Sequence, residues 1–284
     1  MKPKIGLALS GGGARGLAHI GVLKVFKREG ISIDCIAGTS MGSIITAFHA
    51  AGFSIEEMED IAIRFSRMRE LAKLIDLTPT RRGLLEGNRV RTYFRQLFQE
   101  DRLIEELSIP ILINAVDLIS GDEIVFSKGS LLQAIFASSA VPGIFSPIKM
   151  DGKLLIDGGV LNNLPVDHAW SLGPDIVIGV DVEQDPHEEI LWSDQEKNKR
   201  SPLQTPAFLK DFYRAQMIMI RKMTNEKIKN AKPTVLLSPK IQSNVSMIIG
   251  FTKAKEVIKA GEICAESNLP IIFKAIEEFE IKRG

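Results

Sequence analysis

Ser40 stands in Gly38-Thr39-Ser40-Met41-Gly42, between an apolar run at residues 31–37 and a small-residue, apolar stretch at 43–51 that lacks Pro and Gly. The first stretch predicts a short buried strand and the second a helix packed on a sheet. G-x-S-x-G at such a junction makes a sharp turn that lifts the serine side chain clear of the backbone, where it can attack a carbonyl. Gly38 and Gly42 let the chain bend and let neighbouring elements come close. The Met41 amide, directly after the serine, is placed to face an oxyanion. The same five residues also describe a serine that simply caps a helix after a glycine turn, so the chemical reading needs partners elsewhere in the chain.

Two further motifs supply them. Residues 5–9 read as a short apolar strand, followed by Gly11, Gly12, Gly13, Ala14, Arg15 and Gly16, and then by an amphipathic helix pattern at 17–26. A glycine loop at a helix start exposes several backbone N–H groups where the helix dipole favours negative charge. A tetrahedral intermediate needs such donors, and losing one costs roughly 3–4 kcal/mol of transition-state stabilisation. Arg15 adds a fixed positive charge. The third motif is Asp157-Gly158-Gly159, after a strand-like run at 153–156. A carboxylate followed by two glycines is presented with little obstruction, although Asp-Gly is also an ordinary turn. Together the motifs offer oxyanion donors, a nucleophile and a base, each at the end of a predicted strand, where open α/β sheets bind ligands.

Gly11, Gly13 and Gly16 also satisfy G-x-G-x-x-G, which makes a dinucleotide-binding module the rival reading, with Asp34 as the ribose acid. Asp34 sits near the start of its strand, whereas a ribose-binding acid belongs at the carboxyl end, and here that end runs into the serine turn. A non-enzymatic, lipid-binding regulatory module would keep the same fold and show no turnover.

With these motifs in this order, the chain resembles the patatin-like phospholipase family, in particular its short bacterial members. Ala137-Ser138-Ser139-Ala140-Val141-Pro142-Gly143-Ile144-Phe145, before the aspartate, and Asn162-Asn163-Leu164-Pro165, after it, belong to the same resemblance, which covers residues 4 to about 182. The resemblance implies a three-layer fold and a Ser-Asp dyad in place of a Ser-His-Asp triad. Ser40 is then the nucleophile and Asp157 the base, with the Gly11–Gly16 loop and the Met41 amide as the oxyanion site. The implied reaction is hydrolysis of an acyl ester of a lipid or lysophospholipid through an acyl-serine, without a cofactor. Read from residues alone, a triad stays open. Of the four histidines, His168 and His187 follow Asp157 in the chain order of an α/β-hydrolase triad, while His19 and His49 suit packing or surface roles.

The elements that must hold these residues alternate. Strands are expected at 5–9, 31–37, 110–116, 123–126, 153–156, 175–182 and 234–237, with helices between them, which predicts an α/β fold with a largely parallel central sheet flanked by helices. Ser54-Ile55-Glu56-Glu57 is a capping box opening a helix to about Phe65. Residues 66–107 read as largely helical with a break at 78–83, and Val90, Phe94, Leu97 and Phe98 share a helical face. Residues 1–182 are expected to form the catalytic core. Residues 183–284 supply a polar loop (183–206) and C-terminal helices packed on the same domain. The helix at 207–232 carries Phe208, Phe212, Ala215, Met219 and Met223 at i+3/i+4 spacing, beside an excess of Lys and Arg. That stripe suits either packing on the core or contact with an anionic membrane surface. Residues 251–281 predict two helices around Asn268-Leu269-Pro270.

Composition bounds the rest. At 284 residues, with 45% hydrophobic and 25% charged residues, the chain reads as a globular protein with one large core. A net charge of +1 gives no reason for a nucleic-acid partner. Cys35 and Cys264 make no disulfide framework, and no metal-ligand spacing occurs among His and Cys. The apolar run at 5–9 is too short for a signal peptide, and no stretch reaches a membrane span. The expected setting is cytoplasmic, with the 207–232 helix a candidate for peripheral membrane contact. Oligomeric state is left open.

Overall fold

A computed structural model of the chain describes residues 2–74, 83–183, 207–243, 245 and 249–283. In chain order the strands are β1 (Ile5–Leu9), β2 (Cys35–Gly38), β3 (Gly83–Leu85), β4 (Ile111–Asp117), β5 (Glu123–Phe126), β6 (Gly143–Phe145), β7 (Ile148–Met150), β8 (Lys153–Asp157), β9 (Ile176–Val180) and β10 (Val235–Leu237). The helices are α1 (Ala18–Arg28), α2 (Met41–Ala50), α3 (Ile55–Phe65), α4 (Met68–Leu74), α5 (Asn88–Phe98), α6 (Leu131–Ser138), α7 (Gly159–Asn162), α8 (Val166–Ser171), α9 (Ala207–Ala231) and α10 (Ala254–Arg283).

Strands β10, β9, β1, β2 and β4 lie side by side and parallel. Their alternating side chains divide between two layers of helix, as a doubly covered sheet requires. Ile5, Leu7 and Leu9 of β1, Ile36 of β2 and Ile176, Ile178 and Val180 of β9 join the large core with α1, α2, α3, α6 and α10. Ala8, Ala37 and Val177 point the other way, onto Val166 and Ala169 of α8 and Ile228 of α9. The C-terminal helix sits close: a Cβ at Gly21 would run into the carbonyl of Ile258, and one at Gly261 into that of Ala18. These two glycines allow α1 and α10 to cross almost backbone to backbone. The capping box at Ser54 and Glu57 is present, with both reciprocal hydrogen bonds, and Phe94 and Phe98 of α5 stack on Phe48 of α2.

The register around β4 assembles the site. Ile113 pairs with Phe126 on one side and Gly38 on the other, and Ala115 pairs with Ile124 on one side and Asp157 on the other. Hairpin partner β5 therefore holds one edge of β4, and β2 and β8 share the opposite edge end to end. β2 runs up that edge and stops. β8, antiparallel, runs down it and stops two residues short. Their carboxyl ends face each other, and the five-strand parallel sheet is completed by antiparallel β5, as the short turn at 120–122 between the two runs implies, and by β8 and β7, a reversal that the alternating pattern did not contain.

Other expectations change in extent. Of the apolar run 31–37 only residues 35–37 are strand, with Gly38 added at the end, because Cys35 already pairs with Gly6 near the start of β1 and residues 31–34 extend past it. Residues 251–281 fall largely within one helix, α10, that continues through Pro270. Buried Val257, Ile258, Ala265 and Ile272 anchor it on both sides of the proline. In the 66–107 region a short strand, β3, pairs with β6, while the expected helix break at 78–83 lies mostly outside the described residues, as does most of the polar loop 183–206. No described helix is long and apolar enough to cross a membrane.

Candidate active site

Ser40 is the N-cap of α2 and holds φ 53° and ψ −121°, a conformation that costs a non-glycine residue of order 1–3 kcal/mol. The surrounding residues hold it there. Its carbonyl accepts from the amides of Ser43 and Ile44 and from the Ser43 hydroxyl, and its own amide donates to Ser138 Oγ at 2.8 Å. Gly42 makes the turn possible, since a Cβ there would collide with the carbonyls of Leu9 and Ser10 at the end of β1. Gly38 ends β2, and Thr39 is wholly buried.

The strained turn delivers Ser40 Oγ to Asp157. The hydroxyl donates to Asp157 Oδ2 at 2.6 Å, and the Gly159 amide donates to Oδ1 at 2.8 Å. Both side chains lie deep, each residue 6% exposed. Burial is the dominant influence on the carboxyl and pushes its pKa up to about 6, with the hydrogen bonds from Ser40 and Gly159 pulling back. Gly158 and Gly159 form the start of α7, so the carboxylate sits at a helix N-terminus.

The glycine loop lies alongside. Gly13–Leu17 is a single 3-10 turn, with Gly13 at φ 55°, leading straight into α1. Within it the Gly11 amide is taken by Asn163 O and the Arg15 amide by Gly12 O. Those bonds occupy two of the amides expected to face an oxyanion. Gly16 packs against the Met41 side chain, and Arg15 is buried with its Nε donating to Val245 O at 3.0 Å. Gly12, Arg15, Ser40, Asp157, Gly159 and Asn163 line one cavity of about 40 Å³.

Two of the described histidines bond other groups. His19 is fully buried, bonds the Ser10 carbonyl, and is kept neutral by burial with a pKa of about 4. His49 is half-buried at the end of α2. His168 Nε2 meets Glu123 Oε1 at 2.8 Å. None of the three bonds Ser40 or Asp157, and His187 lies outside the described residues. Asp34, the ribose candidate, accepts from the Ile5 amide at the opposite end of β1 from the glycine loop, so it cannot serve a ligand there. Among the described residues, no group of His, Cys, Asp or Glu is placed to hold a metal ion.

Several residues that matter here carried no sequence signal. Asn114, on β4, accepts from the Thr39 hydroxyl at 2.6 Å and donates toward Asn162 O and Glu123 Oε1. It thereby ties the serine turn to the chain that follows the aspartate. Ser138, which receives the Ser40 amide, lay inside a motif quoted above without a role. Glu183 also lines the cavity. Burial, reinforced by Asp181 beside it, pushes its carboxyl up to about 7, against the pull of Arg221.

The family model described as patatin-like phospholipase matches residues 7–170. An uncharacterized NTE family protein of Mycobacterium bovis is 37% identical over 180 residues, 63% of this chain and 49% of that protein. Human patatin-like phospholipase domain-containing protein 6 is 37% identical over 63% of this chain and 13% of its own length. Lysophospholipase nte1 of Aspergillus fumigatus is 34% identical over 63% of this chain and 12% of its own. The aligned region thus spans about half of the mycobacterial relative and about an eighth of the eukaryotic ones.

Proposed function

Because the chain belongs to the patatin-like phospholipase family, we propose that it is a serine acyl hydrolase that cleaves acyl esters of lipids, lysophospholipids among them, with Ser40 and Asp157 as a dyad. One observation carries the reading: a strained, buried serine donates its hydroxyl at 2.6 Å to a buried carboxylate. The name of the lysophospholipase relative supports the substrate class.

In the proposed reaction Ser40 Oγ attacks the acyl carbonyl and its proton passes to Asp157 Oδ2. A carboxyl with a pKa raised to about 6 is a better proton acceptor than an ordinary carboxylate, yet is still ionised at neutral pH. The carbonyl oxygen becomes an oxyanion facing the amides of Gly12, Gly13 and Met41, aided by the positive end of α2. Asp157 then returns the proton to the leaving alkoxide, which departs as the alcohol or lysolipid. Water repeats the sequence on the acyl-serine: Asp157 takes its proton, hydroxide adds to the carbonyl, and collapse releases the fatty acid as the proton returns to Ser40.

The test is chemical labelling with turnover. A fluorophosphonate should modify Ser40, and Ser40→Ala should be folded, unlabelled and inactive on p-nitrophenyl butyrate. Turnover persisting in the folded variant would exclude this nucleophile.

A further inference from the structure

Helix α9 has apolar residues on two opposite faces. Inward, Met217 and Ile220 line the cavity over Ser40 and Asp157, Arg221 reaches Asp181 at 2.6 Å and Lys227 reaches Asp167 at 3.0 Å. These contacts fix the rotation of the helix and turn the expected core stripe outward. Phe212 and Met219 are 69% and 65% exposed, with Ile218 beside them at 41%. Residues 212, 215 and 219 lie on one line at i+3/i+4 spacing, so the exposed side chains form a strip, whereas single exposed hydrophobes are ordinary. The cavity beneath, about 40 Å³, is far too small for a long acyl chain. A long acyl chain is accommodated at Ser40 only when the lining shifts, and α9 is part of that lining; the short acyl group of a soluble ester makes no such demand.

We propose that the outer face of α9, centred on Phe212, Ile218 and Met219, docks on a lipid surface, and that docking draws α9 off the cavity and admits the ester to Ser40. This rests on the acyl-hydrolase reading of the site, which supplies a lipid as the occupant. The charges on the outer side refine the proposal. Arg214, Lys222 and Lys229 are exposed there beside Asp211 and Glu226, with Lys229 paired to Glu226, while Arg221 and Lys227, two of the cations behind the expected anionic-membrane contact, are committed inward. Docking is therefore driven by apolar insertion and responds little to salt, unlike attraction between exposed charges.

The experiment separates docking from chemistry. In a Ser40→Ala background, co-sedimentation with vesicles of equimolar phosphatidylcholine and phosphatidylglycerol should fall roughly a hundredfold on Phe212→Ser with Met219→Ser, about tenfold for each large apolar side chain removed. It should change little between low and high salt, and the Leu pair at the same positions should retain it. In the active chain, turnover of lysophosphatidylcholine should step up where micelles form, and the Ser pair should abolish the step while leaving p-nitrophenyl butyrate turnover within about twofold. Undiminished vesicle binding, or a shift from dimer to monomer as the only effect of the Ser pair, would overturn the docking face. Absence of the micellar step would overturn the displacement of α9. A wild type that binds vesicles through the strip but hydrolyses neither ester would overturn the acyl-hydrolase reading and leave docking standing.

Discussion

Asp157 offers the most exacting test, because the same burial that makes it a base should make it a burden on stability. Its carboxyl is held at about 6 against an ordinary 3.8. The folded protein therefore binds a proton that the unfolded chain has released anywhere between those two values. Stability falls as pH rises through that window, and the whole cost is present above pH 6. At ~1.4 kcal/mol per pH unit of separation the cost is about 3 kcal/mol at pH 7.5, and about half of that at pH 5. Asp157→Asn removes the charge and keeps the shape: the amide oxygen can accept from the Gly159 amide and the NH₂ can donate to Ser40 Oγ. The variant should therefore unfold at a Tm about 6 °C higher than wild type at pH 7.5, at ~2 °C per kcal/mol for a chain of this size, with the advantage roughly halved at pH 5. Hydrolysis of p-nitrophenyl butyrate should fall by at least ~10³-fold, the loss expected when a general base goes. Thermal unfolding followed by circular dichroism at both pH values, beside the esterase assay, reads all three quantities. An Asn variant less stable than wild type at pH 7.5, or an advantage equal at both pH values, would refute the buried-charge argument, and retained activity would refute the dyad.

The same ionisation predicts the pH profile: kcat/KM on a soluble ester should climb about tenfold per pH unit up to about pH 6 and level off above it, since only the carboxylate can take the serine proton, and a profile flat through pH 5 contradicts this. His168→Ala, which removes the bond to Glu123, should keep activity within ~10-fold, whereas a loss as deep as that of Asp157→Asn would place a histidine in the reaction. Asn114→Ala removes its bonds to Thr39, Asn162 O and Glu123 and leaves only the direct bond from the Thr39 hydroxyl to Asn162 O. It should cost ~1–3 kcal/mol in urea unfolding and slow fluorophosphonate labelling more than it weakens ester binding, while unchanged labelling would remove Asn114 from any positioning role.

What the sequence determined by itself was local. Gly38 and Gly42 around Ser40, the loop from Gly11 to Gly16 and the Asp157-Gly158-Gly159 turn were legible because glycine at those places reports a tight turn or a close approach that a side chain would block. The strands were legible as apolar runs, since a sheet covered on both faces has no polar side to interrupt them. β1 appears with the bounds its pattern predicted. What only tertiary structure decided was direction, rotation and partnership. Nothing in residues 153–157 says that β8 runs against β4 on the edge β2 has left free, yet that reversal brings Asp157 to Ser40. The stripe on α9 follows a helical period, but period does not say which way a stripe turns. Ion pairs from Arg221 and Lys227 to Asp181 and Asp167, 40 and 60 residues away in the chain, set the rotation. Asn114, Ser138 and Glu183 are single polar residues with no pattern around them. Their roles exist only because folding buries them beside one another, where a polar group must find a partner or be costly.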